Sequence, residues 1–331
     1  MIPTPLYPVR FEPIFQYRPW GGRRLANWLT APLPADGPIG EAWLLSDRDD
    51  HPTLIANGPL QGQTIAQLMA DSRDQLLGKC AGRFSRFPLL LKLLDARGRL
   101  SVQVHPSDQQ TSYLPTGESG KTEAWVVLEA GAQSRIYAGL KRATTADNLR
   151  QAITNGGVTN LLVSFTPQPG DGILLEAGTV HALGDTVVFE VQENSDVTFR
   201  LYDWDRVDAA AGKRRALQVE PALACIDFAR GAPSPMVPVI EEGKTARRER
   251  LVHCKHFGLW RIAGDTPFSV GLTGAPRVVV CIAGEGQLEK ALSPYPFTKG
   301  DVFLLPAAVG SCVCRPNGAV TLLEVSLPAG A

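Results

Sequence analysis

At 331 residues, with 44% hydrophobic and 20% charged side chains, the chain can build a sizeable core in one large domain or two, and it is not a disordered polymer. Lysine plus arginine equals aspartate plus glutamate at 33 each, so no net basic field draws in nucleic acid, although a local basic pocket is still allowed. No apolar run reaches the ~18 residues that span a bilayer, and the start, MIPTPLYPVRFEPIF, lacks a basic stretch followed by an apolar core; the expectation is a cytoplasmic chain with no signal peptide and no membrane partner.

Residues 1–38 are rich in proline and aromatics (Pro3, Pro5, Pro8, Pro13 and Pro19 with Tyr7, Phe11, Phe15, Tyr17 and Trp20), which forbids long helices and predicts an extended arm packed over a barrel. Gly21 to Leu29 can make one helix, with Leu25, Trp28 and Leu29 on one side. Ile39 to Ser46 and Pro52 to Ala56 read as strands. Thr64 to Ser72 has apolar residues at helical spacing, with Thr64 as N-cap. Pro88 to Leu94 is an apolar run broken only by Lys92, consistent with a central strand. Thr145 to Thr154 is helical by pattern, Val158 to Val163 adds a short helix, and Ala216 to Phe228 is a further one. Val187 to Gln192 and Thr198 to Tyr202 alternate as strands. Residues 229–249 shift to Pro, Gly and charge and predict a linker. From Arg250 onwards short β runs recur between turn signals, the mark of a sandwich or barrel.

The stretch from Leu100 to Trp125 organises the chain. In a strand over Ser101 to His105, Gln103 and His105 project from one face. Glu123 opens another strand-like run, Glu123 to Leu128, and EAGTVHAL supplies His181. Gln103, His105, Glu123 and His181 form a candidate mixed N/O set of four metal ligands suited to zinc, and also to iron or manganese. Taken singly, a histidine in a strand is more often a core or surface residue. Six cysteines (Cys80, Cys225, Cys254, Cys281, Cys312, Cys314) make no CxxC pair with a partnering CxxC or HxxxH, and are expected to be buried small hydrophobes in a reducing compartment.

Four blocks, LSVQVHP (Leu100 to Pro106), GKTEAW (Gly120 to Trp125), EAGTVHALG (Glu176 to Gly184) and ENSDVTFRLYDWDR (Glu193 to Arg206), resemble the signature blocks of type I phosphomannose isomerases of the shorter bacterial kind. IGEAWLLSD and FPLLLKLLDA extend the likeness over roughly the first 230 residues; the C-terminal part resembles the family only weakly. One internal similarity lies there: PGDGILLEAGTVHAL and TKGDVFLLPAAVGSCV share Gly-Asp, an apolar strand, a small-residue turn and a second strand. That pattern looks like a repeated cupin half-motif, with Gly310 or Ser311 where the first copy has His181. The expected fold is therefore mainly β: two jelly-roll (cupin) domains, a catalytic one over 1–235 with an N-terminal arm and helical insertion, and a smaller degenerate, metal-free one over 236–331.

The resemblance implies interconversion of mannose 6-phosphate and fructose 6-phosphate through a cis-enediol, with one zinc ion per chain. Arg200 matches the family's catalytic arginine, and would stabilise an enediolate or help open the ring; its structural alternative is an ion pair with Asp203 or Asp205. Asp196 matches the Asp of an S-D motif and is a candidate general acid/base; its alternative is a turn-forming role. A phosphorylated hexose needs cationic and hydroxyl donors, for which Lys121, Lys92 and Ser101 are the candidates. A monomer is favoured. An iron cupin oxygenase and a sugar-sensing cupin are the rival readings; Gln103 among the ligands disfavours the first, and Asp196 with Arg200 disfavours the second.

Overall fold

The computed structural model describes residues 5–243 and 245–327; Pro3 of the expected arm and Lys244 of the expected linker lie outside the described residues. The molecule is mainly β, two jelly-roll domains of the cupin type with helical insertions in the first.

The first domain is one curled sheet of nine strands. Phe199–Tyr202, Val102–Val104, His181–Glu193, Leu89–Arg99, Ile39–Leu45 and Ile14–Gly22 are hydrogen-bonded in that order, and Glu123–Leu140 runs beside His181–Glu193 while carrying Leu162–Phe165 and Gly172–Leu175. Curling is made possible by irregularities in the long strands: the pairing of Glu123–Leu140 with His181–Glu193 shifts register between Val127 and Glu129 and again between Ala130 and Arg135. The second domain opposes a sheet of seven strands to one of four.

The run FPLLLKLLDA is apolar on both faces for a reason that the fold supplies. Leu89, Leu91 and Leu93 point outward into a core shared with Val278, Val280, Leu304 and Leu323 of the second domain, whereas Leu94 and Ala96 point into the first barrel beside Trp125 and Val188. Each leucine buried in this way contributes about 1.5–3 kcal/mol. The two domains therefore pack back to back through a continuous core. The N-terminal arm joins them further: Val9–Arg10 pairs with Val302–Leu305 of the second domain, placing Val9 opposite Leu304.

The helices are short. Ile65–Leu77 starts at Thr64, whose hydroxyl accepts from the Gln67 amide while the Gln67 side chain accepts from the Thr64 amide. Thr145 caps Ala146–Thr154 in the same way. Three expectations shrink on inspection. Gly21 to Leu29 yields only a 3-10 turn, Arg24–Asn27, because the preceding residues belong to the strand Ile14–Gly22. Pro52 to Ala56 makes only isolated bridges, Leu54 with Thr64 and Ile55 with Phe11. The expected linker contains the strand Val239–Glu241 and the start of Arg247–His253; the charges there are not solvated spacers but pair across the sheet, Arg248 with Glu241 at 2.9 Å and with Glu324 at 2.6 Å. No helix among the described residues is long and apolar enough to cross a membrane.

Candidate active site

Strand register brings the site together. Gln103 sits directly opposite both His181 and Arg200, on the two strands that flank Val102–Val104. Towards the other end of His181–Glu193, Trp43, Lys92, Glu190 and Trp125 lie directly opposite one another across four adjacent strands. Side chains on one rung share one face of the sheet, here the inner one. Gln103, Arg200, Lys92 and Glu190 line a cavity of about 460 Å³, together with Ser101, Lys121 and Asp196.

Behind Gln103 and Lys121 of that lining, His105 Nε2 lies 3.3 Å from Glu123 Oε2, and His181 Nε2 lies 3.3 Å from Glu123 Oε1. All three residues are buried. The imidazoles are oriented from behind. Nδ1 of His105 is 2.8 Å from the Val197 carbonyl, and Nδ1 of His181 is 2.8 Å from the Thr179 carbonyl. A carbonyl can only accept, so each Nδ1 carries the proton and each Nε2 presents a lone pair to the centre. Both Glu123 oxygens are buried with no hydrogen-bond donor in good geometry. Two imidazole lone pairs and a carboxylate converge on one point, with Lys121 Nζ alongside at 2.9 Å from Glu123 Oε2 and 3.3 Å from His105 Nε2, and such a set of N and O donors suits a metal cation.

The protonation states agree. Burial, reinforced by the Lys121 charge, pushes the His105 imidazole down to about 3, and burial also lowers that of His181. Burial opposes ionisation of Glu123, but Lys121 and the two histidines outweigh it and hold the carboxyl well below its usual range. The site is thus ready to ligate at neutral pH. Gln103 Nε2 lies 3.3 Å from His181 Nε2, while its Oε1 accepts from the Ser101 hydroxyl at 3.1 Å. Turning the amide over would exchange these roles and aim Oε1 at the centre, with Ser101 Oγ still able to accept from the amide. The donor set therefore fits a small divalent cation.

The turn leading to His181 needs a glycine. Gly178 has φ +88°, and its amide donates to the His105 carbonyl at 2.9 Å, tying two ligand-bearing segments together.

The two lysines are not free cations. Lys121 Nζ lies 2.9 Å from Glu123 Oε2. Lys92, only 3% exposed, lies 3.4 Å from Glu190, 3.6 Å from Asp196 and 3.9 Å from Glu41, and its ammonium sits 5.1 Å above the Trp43 ring centre. Glu190 is anchored by Trp125 Nε1 at 2.8 Å; burial and then the Glu123 charge raise its proton affinity. Glu41 is gripped by the Arg18 fork at 2.8 and 3.0 Å and by Trp43 Nε1 at 2.7 Å.

Arg200 does not pair with Asp203 or Asp205. Asp203 is taken by Arg206 and Arg215, and Asp205 by Arg214. Arg200 donates instead to the Ala216 carbonyl at 3.0 Å, its buried Nε has no partner, and burial followed by the Arg215 charge lowers its pKa to about 10. Its guanidinium is left facing the cavity. Sequence reasoning gave no role to Glu190, and it passed over Glu41 and Arg18. The signal was available: a lysine inside an apolar strand demands carboxylates at the same level of neighbouring strands, and EAWLL and VVFEVQE carry them.

Residues 9–126 match the family described as phosphomannose isomerase type I, catalytic domain. Over 92% of its length the chain is 36% identical to the mannose-6-phosphate isomerase ManA of Bacillus subtilis (strain 168), covering 94% of that protein. The chain belongs to the type I phosphomannose isomerase family. Among further relatives, a mannose-6-phosphate isomerase of Streptococcus mutans is 34% identical over 88% of this chain and 90% of that protein. In three dimensions the crystal structure of a mannose 6-phosphate isomerase from Bacillus subtilis superposes with a TM-score of 0.89 at 29% identity, covering 97% of this chain and all (100%) of that one. Membership in the family thus rests on a match over 92% of the chain, well beyond the catalytic-domain match at residues 9–126.

Proposed function

We propose that this chain is a metal-dependent aldose-ketose isomerase interconverting mannose 6-phosphate and fructose 6-phosphate through a cis-enediol. The observation that carries it is the donor cluster of His105, Glu123 and His181, with Gln103, next to a cavity whose wall presents Gln103, Arg200, Lys92, Glu190 and Asp196. We read the cation as zinc, one per chain. When bound, it supplies Lewis-acid stabilisation of the oxygen-rich edge of the sugar.

The chain's own residues supply the rest. Lys121, beside Glu123, and Ser101, beside Gln103, position sugar oxygens near that edge. The hard step is removal of a proton from carbon next to a carbonyl. A base for it works best when its pKa approaches the operating pH. Glu190 meets that demand, being buried, held by Trp125 and raised in pKa. Lys92 lies between Glu190 and Asp196, so it couples the two carboxyls; Asp196, at the more exposed rim, is assigned general acid/base work on the ring oxygen. Arg200, always charged and unpaired by carboxylates, stabilises negative charge that builds on the enediolate. The protein acts as a cytoplasmic monomer on a phosphorylated hexose. Mannose 6-phosphate turnover, read by coupled detection of fructose 6-phosphate, tests this; a zinc-loaded chain with no turnover in either direction would sink it.

A further inference from the structure

We propose that His256, from the C-terminal domain, is a positioning residue for the metal centre, acting through Glu193 on the backbone that carries Glu123. The proposal rests on reading His105, Glu123 and His181 as metal donors.

His256 lies at the tip of the hairpin formed by Arg247–His253 and Gly258–Gly264, where His253 pairs with Gly258 and the Cys254 amide donates to the Phe257 carbonyl at 3.0 Å. Phe257 is buried in the core shared by both domains. That plug holds the tip against the catalytic domain and delivers the next side chain, His256, to the rear of the site. Its Nδ1 lies 2.8 Å from Glu193 Oε1. The other oxygen of Glu193 accepts from the Thr122 amide at 2.7 Å, and the Glu193 amide donates to the Thr122 carbonyl at 3.2 Å. Thr122 stands between Lys121 and Glu123, at the point where a loop turns into a strand.

The bonds behind the donors form one stitch. The Thr122 hydroxyl accepts from the Ala177 amide at 3.3 Å, in the turn that leads to His181, and the next amide, Gly178, donates to the His105 carbonyl at 2.9 Å. Glu193 thereby anchors all three ligand-bearing segments, and His256 is the partner that the second domain contributes to it. Glu123 opens its strand with ladder partners Leu175 and Gln192 on either side, and the Glu193 carboxylate fixes the residue just before it, Thr122. Deprived of His256, Glu193 is free to turn towards solvent, and Glu123 loses its aim. Groups behind metal ligands matter in this way: their removal typically weakens metal binding ~10- to 100-fold.

Asp108, Glu193 and His256 also place donor atoms within 4.8 Å of one another. They are not read as a second metal site, because both Glu193 oxygens are engaged by protein groups and Asp108 accepts from the Gly120 amide at 2.8 Å.

The test measures zinc retention by the full chain, without substrate, against a chromophoric chelator. His256→Leu keeps bulk in the site but removes the donor, and should release zinc about tenfold more readily. His256→Asn places an amide N–H near the position of Nδ1 and should restore most of the retention. His253→Ala, on the exposed face of the same hairpin, should match wild type. Three outcomes overturn the proposal: His256→Leu that melts earlier as apoprotein yet holds zinc like wild type, Asn no better than Leu, or two zinc equivalents per chain of which one disappears with His256. A wild-type chain that takes up no stoichiometric zinc overturns the reading of the donors and this proposal together. Zinc-loaded wild type without isomerase turnover overturns only the substrate assignment.

Discussion

The two barrels share a strand plan and differ in what they enclose. The motif Gly-Asp, apolar strand, small turn, strand occurs in both. In the first it runs through Gly172–Leu175 to His181; in the second it runs through Val302–Leu305 to Cys312–Pro316. The first interior holds Gln103, His105, Glu123, His181, Lys92 and Glu190. At the heart of the second lie Phe268, Phe297, Phe303, Leu288, Cys281 and Cys314, packed together. Burial pushes the thiols of Cys281 and Cys314 up to about 12, as expected of inert apolar filler. A jelly roll is thus indifferent to its contents. A charged interior is tolerated in the first because Lys92, Lys121, Glu41, Glu123 and Glu190 each have an opposite charge within reach, and the second spends its interior on packing, turning its outer face and hairpin tip to the support of the first.

The comparison breaks most visibly at the metal centre. Chelation should abolish isomerase activity and zinc should restore it, and His181→Ala should lose stoichiometric metal by elemental analysis; full metal content and activity in that variant would remove the site as drawn. Next is Arg200→Ala, with kcat lower by about two to three orders of magnitude and KM little changed, the behaviour of an interaction made mainly in the transition state. Lysine there should recover little, having charge without the planar fork. A strong rise in KM alone would reassign Arg200 to substrate grip, and unchanged kcat in a folded variant would refute the catalytic role.

Phe297→Ala probes the apolar barrel. It should cost about 3–5 kcal/mol in denaturant unfolding while the folded fraction keeps its metal, since Phe297 is buried at 3% exposure in the second core and touches no part of the site. Glu41→Gln probes the charged one. Lys92 and Arg18, together with hydrogen bonds, outweigh burial and hold this carboxyl at about 2, against an ordinary 4.5. The folded state therefore favours the ionised form. The stabilisation, on the order of 3 kcal/mol, is complete above pH 4.5 and is lost as pH falls towards 2. The gap between wild type and Glu41→Gln should close over that window; a gap independent of pH would show that charge is not its source. The smallest effect is expected of Ser311→His, which puts imidazole where the second motif lacks it. No cluster of three potential metal ligands among the described residues belongs to that barrel alone, so metal content should stay at the wild-type level.

Much of this was legible before the structure. Thr64 announced its helix because capping is a local transaction among four residues; for the helix Ala146–Thr154 both Thr145 and Asp147 were candidates, and the structure has Thr145. Gln103, His105, Glu123 and His181 could be read as a candidate ligand set from residue type and strand spacing, but it was the family likeness that raised them above ordinary core residues; the structure brings their side chains together. Family likeness named Arg200 and Asp196. The partners of Arg200 were not legible: two aspartates follow it in the chain, but arginines 206, 214 and 215 take them, and proximity in sequence says nothing about which of several cations wins a carboxylate.

The amino-acid sequence by itself determined the secondary structure of the well-patterned segments, the mainly β class and the types of donor available, since each follows from side-chain chemistry and from periodicities of two or 3.6 residues. Only the tertiary structure decided that the leucines of FPLLLKLLDA serve two cores at once, that Lys92 sits among three carboxylates, and that His256 reaches the rear of the site from another domain. Those facts depend on strand register and on domain packing. Both are settled by the sum of many weak apolar contacts between residues distant in the chain, and no local pattern records that sum.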